Sequence, residues 1–495
     1  MRERGGNWGA IGCGTLCGMA TQTSLEFSTI SELAAHIRVG ALSPVTLTGT
    51  FLERIAALDP HLHAFIAVTR DRALGEARAA ESALRGGQDL GPLHGVPYAV
   101  KDLYDVKGMP TTAGTRLLAD NVAGADCAVV ARLAGAGMVL LGKTHTVQFA
   151  FGGVGINHDQ GTPHNPWHRT AHAPGGSSSG SGVAVAAGLV PMALGSDTGG
   201  SVRIPAALCG TVGLKTTVGR ISRAGVYPLS WTLDSVGPLT RTVEDAALVY
   251  QAVQGADLRD DTTLGVPPHD ALRDLRAGVR GLRLAFGETP FFEDVDPEVD
   301  KAVREAGEVL RGLGAHLESI AVPEAVEAFA EQKRALMVAA EACVVNGRLL
   351  DQHRDALDPI VANRMLPGRT LLAADYVALL RQWAALRERV KRTLRDVDAL
   401  LVPTTQIPAR PLSRIDASPD AYADHNGRYL RNTSLGNVLN LCAVSLPCGL
   451  SSEGLPIGLM IYAKPWEEDV ALRVAWAYEQ ATARARRHPD LAWAR

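Results

Sequence analysis

Long apolar runs are missing from this chain. No stretch reaches the roughly 18 residues that a membrane-crossing helix needs, so a bilayer-spanning protein is set aside. Charge imbalance is missing too: 49 Lys and Arg stand against 52 Asp and Glu, a net charge of −3, which gives no basic field to hold nucleic acid or an anionic membrane. A small neutral or weakly polar substrate fits better. Cysteine is scarce and odd in number, seven among 495 residues, and reads as reduced core thiols of a cytoplasmic protein. The pairs Cys13 and Cys17, and Cys442 and Cys448, are close in sequence, yet neither has the second half of a zinc pattern, so no metal is expected. Internal repeats and low-complexity linkers are also absent. What is present is globular: 46% hydrophobic and 20% charged residues can bury a sizeable core.

The opening residues, MRERGGNWGAIGCGTLCG, make a poor signal peptide, with a short glycine-broken apolar part and no small-residue cleavage site. Residues 1–24 are expected to be a disordered leader or an over-extended start, with Met19 as the alternative first residue. From Thr29 to Leu58 the apolar spacing of three and four predicts two helices, broken at Gly40 and Pro44. Short strands are expected at 61–67 and at 96–101, the second ending on Lys101, and a helix at 70–85 between them. A helix at 125–136 and a strand at 138–141 follow, a βαβ rhythm that argues for a sheet covered by helices. Residues 137–144, GMVLLGKT, match the phosphate-loop pattern in letters only. Their Met-Val-Leu-Leu core should be buried strand rather than a loop with amides aimed at phosphate. The turn-rich stretch 218–242 is expected at the surface. Further strands are expected at 281–286, 399–403, 444–447 and 454–463, with helices at 242–253 and 467–481. Between 295 and 396 glycine becomes rare and charged helices dominate.

The centre of the chain is 174–215, PGGSSSGSGVAVAAGLVPMALGSDTGGSVRIPAALCGTVGLK. It holds two serine-glycine turns around an alanine-rich apolar run. Acyl transfer needs backbone donors aimed at one point and a nucleophile within reach, and each turn offers both. Asp197 and Arg203 are expected to pair and hold the second turn. Serine needs a base. The nearest imidazole, His172, has no acidic partner beside it, so a different base is expected, and a lysine can serve if burial keeps it uncharged. One rival lies in the same residues: Gly176 to Gly180 satisfies G-x-S-x-G with Ser178 as nucleophile, but the buried strand that should lead into that elbow is replaced by polar, proline-broken NPWHRTAHAPG.

With LHGVPYAVKD ahead of it and GLPIGLMI late in the chain, this stretch resembles the amidase signature family over roughly residues 25–485. The resemblance implies a single large α/β domain at 25–490, a mixed central sheet sandwiched between helices, with a mainly helical insertion at about 295–396. It implies a triad of Lys101, Ser177 and Ser201, the serines 24 residues apart, with Ser201 as nucleophile and Ser177, on a cis peptide bond, as proton relay. The N–H groups of Thr198, Gly199, Gly200 and Ser201 would form the oxyanion hole. Ala150, Phe151 and Gly152 would line the substrate pocket. No metal or organic cofactor is implied. The expected partner is a small amide or carbamate, with a homodimer left open. The glutamine-hydrolysing component of a tRNA-dependent amidotransferase shares the signature, although ANRMLPGRTLLAADY at 362–376 reads more like free-standing amidases.

Overall fold

The first apolar period folds as two helices, Ile30–Arg38 and Pro44–Leu62. Thr29 and Glu32 cap the first reciprocally, and Ser43 with Pro44 opens the second, satisfying N–H groups that have no partner inside a helix. The computed structural model describes residues 25–330, 333–483 and 487–494. The expected leader at 1–24, with Cys13, Cys17 and Met19, lies outside them.

Eleven strands follow in chain order: β1 Phe65–Val68, β2 Pro97–Lys101, β3 Val139–Thr144, β4 Met192–Asp197, β5 Val212–Lys215, β6 Ser235–Thr240, β7 Arg283–Gly287, β8 His316–Ile320, β9 Ala399–Pro403, β10 Cys442–Leu450 and β11 Pro456–Ala463. They form one sheet in the order β1-β3-β2-β4-β6-β5-β10-β11-β9-β7-β8. β2 runs parallel to β3 and β4, and β7 runs parallel to β8 and β9. The other pairings are antiparallel. The late strands therefore return to the sheet begun near residue 65. Helices cover both faces, and one apolar cluster extends from Ile30 to Ala494, as expected of a single domain.

Two findings refine the sequence reading. β3 is an interior strand between β1 and β2, so GMVLLGKT is sheet and not a phosphate cradle. The surface expectation for 218–242 is overturned, because all six residues of β6 are buried between β4 and β5. Gly237 and Pro238 look like a turn in sequence. Here glycine is required because a Cβ at 237 would collide with the Leu214 carbonyl of β5. The span 295–396 contains the helix Pro297–Gly312, which packs on β9, β10 and β11, then the edge strand β8 and four further α-helices.

Candidate active site

β4 ends at Asp197, and the helix Arg203–Cys209 begins six residues on. The turn between them is held by one carboxylate. Asp197 accepts from the N–H groups of Gly200 at 2.8 Å and Val202 at 3.2 Å, and from Arg203 Nε at 3.0 Å and Nη2 at 2.9 Å. Arg203 also donates to Tyr462 Oη and Asn437 Oδ1. Both charges are fully buried. Burial alone would push the Asp197 carboxyl up, but the Arg203 charge and these hydrogen bonds outweigh it and hold the group well below the usual carboxylate range. The expected pairing is thus formed, and its role is to shape the turn.

The first turn is fastened to this one. Ser178 N–H donates to the Ser201 carbonyl at 3.3 Å, and Ser196 N–H donates to Ser178 Oγ at 3.3 Å. Ser178 is therefore bound to backbone, and no strand leads into it, so the elbow reading fails. The Gly176–Ser177 peptide bond is cis. Lys101, the last residue of β2, reaches across with Nζ 2.7 Å from Ser177 Oγ and 2.9 Å from Ser196 Oγ. It is fully buried. Loss of hydration lowers its pKa from 10.5 to about 7, against the opposing charges of Asp234 and Asp197. His172 instead bonds the Thr170 carbonyl.

Ser201 lies in the second turn and is almost fully buried. Its Oγ has no hydrogen-bond partner among the described residues, so of the expected relay the link from Lys101 to Ser177 is formed and the link from Ser177 to Ser201 is not. Catalytic hydrogen bonds commonly tighten only when substrate is in place. The oxyanion expectation needs one correction. Gly200 already donates to Asp197, whereas no acceptor is found among the described residues for the N–H groups of Thr198, Gly199 and Ser201.

Ala150, Phe151 and Gly152 lie on a buried loop tied to the first turn, since Gly176 N–H donates to the Gly153 carbonyl at 2.8 Å and Val147 N–H to the Ser177 carbonyl at 3.2 Å. Phe149 and Ala150 both take left-handed backbone angles, which non-glycine residues adopt mainly where surrounding structure enforces them. Tyr422 closes on Gly152 so tightly that a Cβ there would sit 2.7 Å from its hydroxyl.

Several site residues escape a reading of the sequence. Ser196 faces Lys101, although in sequence it is only one more residue of a turn. Half-buried Asp234 accepts from Thr198 Oγ1 at 2.5 Å and from the N–H groups of Leu229 and Ser230. With Ser196, Leu103, Tyr227 and Trp231 it lines a cavity of about 240 Å³. The helix Pro419–Val438 supplies Asn426 to Gly153, Thr433 to the Gly199 carbonyl and Asn437 to Asp197. The available signal is a polar stripe, with Tyr422, Asn426, Thr433 and Asn437 falling on one face at helical spacing.

Buried serines and unclaimed N–H donors, gathered in turns at the strand ends of a helix-covered mixed sheet, make this the site of an α/β enzyme. Comparison with known proteins supplies the family. The Amidase family profile matches residues 46–472, and the chain belongs to that family, whose members hydrolyse carbon–nitrogen bonds of amides. It is 39% identical to 2-amino-5-chloromuconic acid deaminase of Comamonas testosteroni, over 91% of this chain and 95% of that one. It is 40% identical to an amidase of Pseudomonas putida, over 95% and 99%. A glutamyl-tRNA(Gln) amidotransferase component from Chloroflexus aggregans is 38% identical, again over 95% and 99%. The solved peptide amidase of Stenotrophomonas maltophilia superposes with a TM-score of 0.81 at 32% identity, covering 94% of this chain and 99% of that one.

Proposed function

We propose that the chain hydrolyses a small linear amide through an acyl-enzyme on Ser201, with Lys101 as base and Ser177 as relay. The observation that carries this is a fully buried amine 2.7 Å from a serine hydroxyl, with no carboxylate in ion-pair range among the described residues. At a pKa of about 7 a large fraction is uncharged at neutral pH and can accept a proton. Ser201 Oγ attacks the carbonyl while its proton passes through Ser177 to Lys101. The N–H groups of Thr198, Gly199 and Ser201 receive the oxyanion, single donors of this kind contributing about 2.7 to 4 kcal/mol. Ser177 then returns the proton to the departing amine, and water releases the acyl group.

Carbamates would pass through the same steps, since the nucleophile and donors are unchanged. A second reading, a glutamine-hydrolysing component of a larger assembly, is supported by the amidotransferase relative that matches over nearly its whole length. Chromogenic anilides, carbamates and primary amides assayed beside Ser201→Ala test the main reading. Turnover that survives Ser201→Ala undiminished overturns it. Glutaminase activity that appears only with added partner proteins would favour the amidotransferase reading.

A further inference from the structure

Two of the three unclaimed N–H groups belong to peptide units that are gripped at their other end. The Gly200 carbonyl, one unit with the Ser201 N–H, accepts from Ile204 N–H at 2.7 Å. The Asp197 carbonyl, one unit with the Thr198 N–H, accepts from Ser235 Oγ at 3.1 Å. Ser235 opens β6 directly opposite Asp197 and is buried. The Gly199 carbonyl is held too, by Thr433 Oγ1 at 2.7 Å, but the N–H of that unit, on Gly200, is already given to Asp197. A planar peptide fixed at its oxygen has its N–H direction fixed as well. A hydrogen bond accepted by the carbonyl also polarises the unit and strengthens its N–H as a donor, by about 10 to 30%.

The Thr198 unit is fixed a second time, through its side chain. Thr198 Oγ1 donates to Asp234 Oδ1, and Asp234 Oδ2 accepts from Leu229 N–H at 2.9 Å and Ser230 N–H at 3.0 Å. Burial pushes the Asp234 carboxyl up, and these three hydrogen bonds oppose it. The other charges nearby are engaged: Asp197 pairs with Arg203, Arg223 with Asp260 and Arg259 with Asp257, while Glu341 takes the Ser230 hydroxyl. No cation lies in ion-pair range of Asp234 among the described residues. Asp234 and Ser196 line one cavity, and Ser196 bonds the Lys101 amine. Burial lowers the pKa of that amine, and Asp234 is the strongest charge opposing the fall.

We propose that Asp234 and Ser235, adjacent residues where β6 begins, are positioning residues for amide hydrolysis: together they aim the Thr198 N–H at the oxyanion, and the Asp234 charge stabilises the ammonium that forms on Lys101 as Ser201 attacks. Both act through other groups, Ser235 through the Asp197 carbonyl and Asp234 through the Thr198 hydroxyl and its own field. Donors held in place before the reaction cost no reorganisation when charge develops. A fixed anion near a base likewise favours the protonated form that the base must reach. The inference rests on the Ser201 acyl-enzyme reading.

The nitroanilide that the wild-type enzyme hydrolyses best, and the trifluoromethyl ketone carrying the same acyl group, provide the test. Ser201 Oγ adds to the ketone carbon, its proton passes through Ser177 to Lys101, and the ketone oxygen becomes an oxyanion. Thr198→Val and Ser235→Ala should each lower kcat about fivefold to fiftyfold with KM unmoved, short of the hundredfold or more that follows outright loss of a donor. The inhibition constant of the ketone should rise by the same factor, as for a transition-state analogue, while that of the free carboxylic acid product stays the same. Thr198→Ser and Ser235→Thr, which keep the hydroxyls, should recover most of both losses. Asp234→Asn should in addition move the rise of kcat/KM with pH below about 7, because Lys101 loses an opposing charge. Thr198→Val and Ser235→Ala keep that charge and should leave the midpoint in place. Unchanged kcat and ketone inhibition in Thr198→Val and Ser235→Ala, or losses that the hydroxyl-keeping variants do not recover, overturn the orienting role. An unmoved midpoint in Asp234→Asn overturns the role of its charge. Both outcomes leave the acyl-enzyme reading intact, whereas turnover that persists in Ser201→Ala overturns that reading and this inference together.

Discussion

Two lysines lie near the ends of neighbouring parallel strands, Lys101 last in β2 and Lys143 next to last in β3, and the protein treats them in opposite ways. Lys143 on β3 sits beside Val100 in register and Lys101 on β2 beside Thr144, and both side chains are withdrawn from solvent. Lys143 has a carboxylate, with Nζ 2.5 Å from Asp102, and further acceptors in the Pro110 carbonyl and Thr111. Lys101 has only hydroxyls. An ion pair keeps an amine charged, while burial among neutral groups favours the uncharged form. What separates the two amines is therefore one carboxylate, not depth of burial.

Removing the Lys101 amine should have the largest consequence. Lys101→Ala is expected to lower kcat/KM by about a hundredfold to ten-thousandfold, the range for a lost general base, with the circular dichroism spectrum unchanged. In the unaltered enzyme the same quantity should rise with pH through about 7 as Lys101 deprotonates. A flat profile from pH 5.5 to 8.5, or retained turnover in Lys101→Ala at neutral pH, would place the base elsewhere.

Lys143 should behave in the reverse manner. Lys143→Met leaves Asp102 buried and without its cation, which by analogy with other broken buried pairs costs about 3 to 5 kcal/mol of folding stability. Adding Asp102→Asn should restore most of it. If urea melts show no such recovery, the pair is not the unit described here.

How much of this contrast can be read from the chain alone follows from distance along the sequence. The Asp197–Arg203 pair is legible because it lies within one turn, whereas Lys101, Ser177 and Ser201 are singled out by the resemblance of their motifs to the amidase signature family. β6 is hidden because Gly237 and Pro238 answer to the carbonyl of another strand, not to a local turn. Gly200 looks like its neighbours, and only the fold shows that Asp197 takes its N–H. Ser196 and the polar stripe of the helix Pro419–Val438 depend on partners 95 or more residues away. Periodicity carries no information about such pairings.

Ser196 sharpens the comparison further. A neutral amine has two hydrogens and one lone pair, and the hydrogen directed at Ser196 Oγ leaves the lone pair for Ser177. Ser196→Ala should lower kcat by roughly threefold to tenfold, as for one neutral hydrogen bond, with KM unmoved. Ser196→Thr should recover it, because the hydroxyl is retained. Equal losses in both variants would point to packing instead.

The smallest effect is expected at His158, a cation with two carboxylates where Lys143 has one and Lys101 none. Its ring nitrogens approach Asp358 at 2.8 Å and Asp416 at 3.0 Å. The hydrogen bond to Asp358 is the main reason its pKa rises to about 9, against the effect of burial. A folded-state pKa above the unfolded value means stabilisation that is complete below about 6.5 and is lost as pH rises through about 9. The site is more than a third exposed, so solvent screens it and the change should be slight. Comparing melting temperatures of wild type and His158→Gln from pH 6 to 10 isolates it, since Lys101 titrates identically in both. The gap between the two curves should be widest at pH 6 to 7 and close toward pH 10. A gap that stays constant would mean the imidazole acts there by packing, without its charge.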